Sequence, residues 1–229
     1  MAYTFVDSQN KLSSLLGDGN TTSDDMFPLA IRKKELNRGE WQLAFDSKDL
    51  MGYQSGTVDS SLIITVPNDW IETYVFIVDN VVITNDREIS LADWQRYYNW
   101  GGSPPYYYFW TDAAGTLNIN LIGADANGKT YKLYYFKKPT SELSDDDDVS
   151  LHQEEFREGS AYYAASELLR QIGKNAQADE YRIIYESIVN KAIDWMNKKF
   201  IKKEYARPDF GESDTSNIDI AGGNQRIYY

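Results

Sequence analysis

Four consecutive carboxylates, Asp145 to Asp148, form the densest charge run in the chain and could in principle hold a divalent cation or share a proton. A calcium loop does not fit them. Counting from Asp145, the fifth position is Val149, the sixth is Ser150 where Gly is needed, and the twelfth is Phe156 where Glu is needed. The run therefore reads as a solvated loop whose charge favours the N-terminus of a helix that follows it. His152 is the only imidazole. Flanked by Gln153, Glu154 and Glu155, it reads as an exposed position in that helix's first turn. The chain has no Cys, so thiolate nucleophiles, disulfides and Cys-ligated metals are excluded. It contains no Walker loop, no G-x-G-x-x-G run and no G-x-S-x-G elbow. The expectation is a non-enzymatic protein with no catalytic residues, no cofactor and no metal.

The 18 Tyr, 9 Phe and 6 Trp make an unusually aromatic chain, suited to a β-rich core or to wide protein contacts. They concentrate at Ser103-Pro104-Pro105-Tyr106-Tyr107-Tyr108-Phe109-Trp110, which could be a sugar-stacking platform. Strand alternation, however, sends Tyr106, Tyr108 and Trp110 to one face and Tyr107 and Phe109 to the other, so at least one face should be buried. The formal charge of −12 repels phosphate backbones and anionic membranes. No apolar stretch is long enough to span a bilayer, and Met1 to Leu12 lack the features of a secretory signal, so a soluble cytosolic product is expected.

These groups must be carried by a mixed framework. A short helix is expected over 3–16 and an amphipathic one over 24–46, with Pro28 in its first turn and Ile31, Trp41, Ala44 and Phe45 near the helical period. From Ser61 the period changes to strands, LIITV, TYVFIV and VVI, followed by a short helix within 88–100. Three more strands follow, Tyr106 to Thr111, Thr116 to Ile122 and Thr130 to Phe136, with turn signals at Ala114-Gly115 and Asn127-Gly128. Leu117, Ile119 and Leu121 should face a core and Asn118 and Asn120 a polar side. Ser150 and Gln153 have the spacing of a capping box. Beyond them, two helices within 150–199 should pack as a long αα-hairpin whose core is the stripe Tyr181, Ile184, Tyr185, Ile188, Ala192 and Trp195. The expected fold class is α+β, a helical bundle with a C-terminal αα-hairpin and an inserted antiparallel β-lobe over about 57–138. Residues 1–200 would form one domain and 201–229 an extended arm.

The order of features from Gly101 onward, GGSPPYYYFW, NINLIG, YKLYYFKKPTSELSDDDD and EEFREGSAYYAASELLRQIGKNAQADEYRIIYESIVNKAI, with ELNRGEWQLAF upstream, resembles the head-to-tail adaptor (connector, or neck) proteins of tailed bacteriophages. The likeness covers residues 25–197. It implies a virion protein of the neck, made in the host cytoplasm. Its partners would be the portal ring, other copies of itself in a twelve-fold ring, and tail or further neck proteins. DNA would pass through the lumen without specific binding, and no membrane is involved. The family carries no catalytic residues to transfer. Two alternatives stand beside it, a tail-terminator or tail-tube subunit and a carbohydrate-binding accessory protein.

Residues 205–229 have no hydrophobic period and are rich in Asp, Ser, Asn and Gly, yet they end in Arg226-Ile227-Tyr228-Tyr229. Arg and Tyr are frequent interface anchors, so this terminus is the candidate partner contact.

Overall fold

A computed structural model describes residues 3–17, 26–97 and 105–201. Two helices, α1 (Phe5–Leu16) and α2 (Leu29–Ser47), precede the β-lobe; α4 (Glu158–Gln171) and α5 (Asn175–Met196) follow it, the last continuing into a π-helical turn, Asn197–Ile201. The fold is thus mixed helix and antiparallel sheet. Within the lobe lie β1 (Met51–Thr57), β2 (Ile63–Thr65), β3 (Trp70–Val78), β4 (Val81–Ile83), the short α3 (Trp94–Tyr97), β5 (Tyr106–Thr111), β6 (Leu117–Ile122) and β7 (Thr130–Lys137). They build a four-stranded sheet ordered β1-β7-β3-β4 and a three-stranded sheet ordered β2-β6-β5, with every neighbouring pair antiparallel.

The two sheets share one core, in which Ile64, Phe76, Tyr107, Ile119, Leu121 and Leu133 meet. Alternation delivers Ile119 and Leu121 inward as the pattern demands. The opposite side of β6 departs from the expected polar face: Asn118 is itself buried, bonded to Thr65 and to the Thr116 carbonyl, and Asn120 donates to the Tyr108 hydroxyl. The aromatic run is no platform. Tyr107 and Tyr108 are buried, and Tyr107 packs edge-on against both Phe76 and Phe109.

The first strand of the lobe begins earlier than the sequence pattern indicated, because Gly52 and Gly56 hide it from propensity. Both are required by packing. A Cβ at Gly52 would overlap the Tyr135 ring of the neighbouring strand, and one at Gly56 would lie 2.9 Å from Tyr131 Cε1.

In the helical half, α4 is the central element. Its buried residues include Gly159, Ser160, Ala161, Ala164 and Ala165, small enough to let α1, α2 and α5 approach closely. The tightest approach is at Gly39 of α2, where a Cβ would sit 2.5 Å from the Ser160 carbonyl oxygen. Leu12, Leu36, Leu168 and Leu169 fill the core beside α1, and Leu43, Tyr163, Tyr185 and Val189 form a second cluster toward α5.

Candidate functional site

Helix α2 is turned against its own composition. Its buried side carries Arg32, Glu35, Leu36, Gly39, Glu40, Leu43, Ala44 and Ser47, whereas the exposed positions between 31 and 45 are Ile31, Lys34, Arg38, Trp41 and Phe45. Of the apolar residues that suggested an amphipathic helix, only Ala44 is buried. Trp41 and Phe45 are 44% and 49% exposed. Their rings lie parallel, within 6° and with centroids 6.1 Å apart, and the Lys138 ammonium stands 5.7 Å over the Trp41 ring. The inversion follows from α4: its small-residue face admits Gly39 and Leu43, which fixes the helix rotation and leaves the aromatics outside.

Trp41 also borders a cleft of about 690 Å³ between α2 and the strap that runs from Pro139 to Leu151. The Asn37 amide clasps the strap, accepting from the Leu143 N–H at 2.7 Å and donating to its carbonyl at 2.9 Å. At the rim Val149 and Leu151 are 40% and 54% exposed. The cleft therefore offers an apolar mouth between Lys34 and Arg38 on one wall and Glu142 on the other.

Behind α2 and the strap lies a cluster that resembles catalytic machinery, Ser150, His152 and Asp49, all buried. His152 Nδ1 is 2.8 and 2.9 Å from the Asp49 carboxylate oxygens, and Nε2 is 3.0 Å from the Glu40 carbonyl oxygen. A carbonyl can only accept, so Nε2 carries a proton. Nδ1 faces a carboxylate, so the ring is the imidazolium cation. Burial opposes that charge, but the hydrogen bond and charge of Asp49, reinforced by Glu40, outweigh it and raise the His152 pKa above its ordinary value. The ring is not aimed at the Ser150 hydroxyl, which donates instead to Glu40 Oε2 at 2.5 Å. With no free base and no exposed nucleophile, the cluster cannot perform acyl transfer. It is a fastener, tying the strap to α2 and to the residues just after it.

This corrects two expectations. His152 is not an exposed helical residue, and Ser150 and Gln153 do not cap α4: the chain bends at 151–152 and turns over 154–157, and α4 begins at Glu158. Ser150 is drawn away by Glu40, a partner 110 residues distant in sequence. The acidic run likewise serves another helix than the one it precedes. The carbonyls of Asp148 and Asp146 accept from the N–H groups of Phe5 and Val6 at 2.7 and 3.0 Å, satisfying free donors at the start of α1. The Asp148 carboxylate folds back on the N–H groups of Ser144 and Asp145, which hold its pKa below the usual value. Among the described residues no group of three or more His, Asp or Glu is placed to hold a metal ion.

The α5 stripe is divided by the structure. Tyr185 is buried, its ring 5.3 Å from that of Tyr163 and its hydroxyl donating to Asp46 at 2.6 Å. Burial, with that bond, raises its pKa strongly. Tyr181 is half-buried and donates to the Leu15 carbonyl at 3.0 Å. Ile188 and Trp195 are also half-buried, Trp195 edge-on to Phe156. Ile184 is 39% exposed. The buried line of α5 is instead Ala178, Tyr185, Val189, Ala192 and Met196; Ile184 is one helical step from Tyr185, about 100° around the axis, and cannot share its contact. Arg226, Ile227, Tyr228 and Tyr229 lie outside the described residues.

What the geometry offers, then, is an outward aromatic and cationic face on a helix that the strap fastens from behind. A family model described as SU10 adaptor protein matches residues 3–201. The chain belongs to the SU10 adaptor protein family. This is a family of phage head-to-tail adaptors, so the adaptor is a structural protein of a bacteriophage particle. No curated protein matches it. Among the adaptor's described residues, no helix is long and apolar enough to cross a membrane.

Proposed function

We propose that the adaptor assembles as a ring beneath the portal, joins the phage head to the tail and lines the channel through which DNA leaves. The family match over residues 3–201 carries this reading, and the outward stripe of α2 supports it, since a monomer gains nothing from exposing Trp41 and Phe45 while burying Arg32, Glu35 and Glu40. The ring holds twelve copies, the number that the resemblance to head-to-tail adaptors implies. A formal charge of −12 per chain, repeated around the lumen, repels the DNA phosphates and lets the duplex pass without sticking. The ring forms in the host cytoplasm and remains in the neck of the virion, where the tail or a further neck protein docks on it. Residues 205–229 act as a tethered arm whose Arg226, Ile227, Tyr228 and Tyr229 anchor on a neighbour once the ring presents their acceptor at high local concentration.

Sedimentation of the purified adaptor with and without purified portal of the same phage tests this. The adaptor should be monomeric at micromolar concentration and should sediment as a ring on the portal. A stable dimer that ignores the portal would overturn the proposal.

A further inference from the structure

The five exposed residues of α2 between 31 and 45 have a counterpart elsewhere in the chain. On α5 the side opposite the buried line Ala178, Tyr185, Val189, Ala192 and Met196 presents Ile183 and Ile184 among the polar and charged residues Glu180, Ser187, Lys191 and Asp194. Ile183 is 66% exposed, the highest value among the large apolar side chains of the described residues. Its acidic neighbours Asp179 and Glu186 are already paired, with Arg170 at 3.0 Å and Arg182 at 3.3 Å. The two faces complement each other in sign: one is aromatic and carries Lys34 and Arg38, the other is aliphatic and carries Glu180 and Asp194 against the single cation Lys191. They also match in length, since residues 31 to 45 and residues 180 to 194 each rise about 21 Å. Each face lies opposite the side of its own helix that packs on α4, and α4 contacts both helices. The two faces therefore point away from the shared centre in different directions.

We propose that α2 of one copy packs antiparallel on α5 of the next, so that Trp41 and Phe45 cover Ile183 and Ile184. This rests on the ring reading and names its subunit contact. In the antiparallel register Phe45 lies beside Ile183 and Lys34 beside Asp194. Self-pairing is disfavoured on both faces: α2 on α2 would bring Lys34 and Arg38 together, and α5 on α5 would bring together Glu180 and Asp194. A contact between two different faces propagates from copy to copy and closes as a ring when the rotation allows, whereas a contact of one face with itself stops at a dimer.

The absence of Cys from the chain makes the test clean. The double variant Phe45→Cys with Ile183→Cys is assembled on portal rings, oxidised and run on a denaturing gel. Expected is a ladder of covalent multimers extending past the dimer, with none from either single variant. Lys34→Cys with Asp194→Cys should give the same ladder and guards against a disturbance caused by removing Phe45. Rings that form on the portal but yield no ladder from either pair would overturn this contact and leave the ring reading standing. Dimers from Phe45→Cys alone would show a symmetric contact and overturn it too. An unmodified chain that forms no ring on the portal would remove both the ring reading and the contact.

Discussion

The β-lobe and helix α2 bury their side chains by opposite rules. In the lobe, β-branched and aromatic residues go inward: Ile119 and Leu133 have no exposed surface, and Phe76 and Tyr107 are 1% exposed. In α2, Arg32, Glu35 and Glu40 go inward beside Leu36, Leu43 and Ala44, and the aromatics Trp41 and Phe45 go outward. A sheet that closes on a second sheet satisfies its apolar face within the chain. Helix α2 has one side fixed by α4 and the other free, and both of its aromatic residues stand on the free one. The surface of the lobe is finished within the chain, and the outward face of α2 is the one that the proposed ring would complete.

The largest expected effect tests what the inversion demands of the buried side of α2. Removing the imidazole by His152→Ala leaves the Asp49 carboxylate buried without its cation, which should cost about 3–5 kcal/mol in denaturant unfolding. A loss below about 1 kcal/mol would show that the strap is not held by this pair. The pair also sets a pH dependence. The His152 pKa is raised in the folded state, so its contribution is complete below the unfolded value of about 6.5 and disappears as pH rises through the folded value. The melting temperature of the unmodified protein should therefore fall on the alkaline side by more than that of His152→Ala. Parallel curves would contradict the assignment of an imidazolium.

In the lobe, the inward rule predicts about 2–5 kcal/mol for Leu133→Ala, an ordinary cavity cost. Gly39→Ala should be somewhat milder, about 1–3 kcal/mol, because the new methyl group meets the backbone of Ser160 and the α2–α4 crossing must open. In a free helix the same change would stabilise, since Ala is the better helix former. A stabilised Gly39→Ala variant would mean that the crossing is looser than described, and with it the reason α2 faces outward.

The comparison also shows what could be read from the residues alone. The runs at 62–66, 73–78 and 117–122 betray their strands because strand propensity and burial ask for the same residue types there. The strand over Met51–Thr57 is hidden because its glycines answer to Tyr131 and Tyr135 across the sheet, a demand that no local window contains. His152 is illegible for the same reason. Its partner Asp49 is 103 residues away, and the local pattern of Ser150 and Gln153 imitates a helix cap. The stripe of α2 is visible as a stripe, but its direction is not, since periodicity gives the phase of a face and not what lies against it. In α5 the spacing of Tyr181, Ile184, Tyr185 and Ile188 fits a helix well, yet the small residues of α4 choose Tyr185 and Val189 and turn Ile184 outward.

The most direct measurement concerns the outward face itself. The double variant Trp41→Ser with Phe45→Ser should leave the monomer's stability within about 0.5 kcal/mol, as exposed substitutions usually do, while abolishing ring formation on purified portal, read by sedimentation. Rings that assemble from the variant as readily as from the unmodified adaptor would contradict the claim that α2 presents an assembly surface.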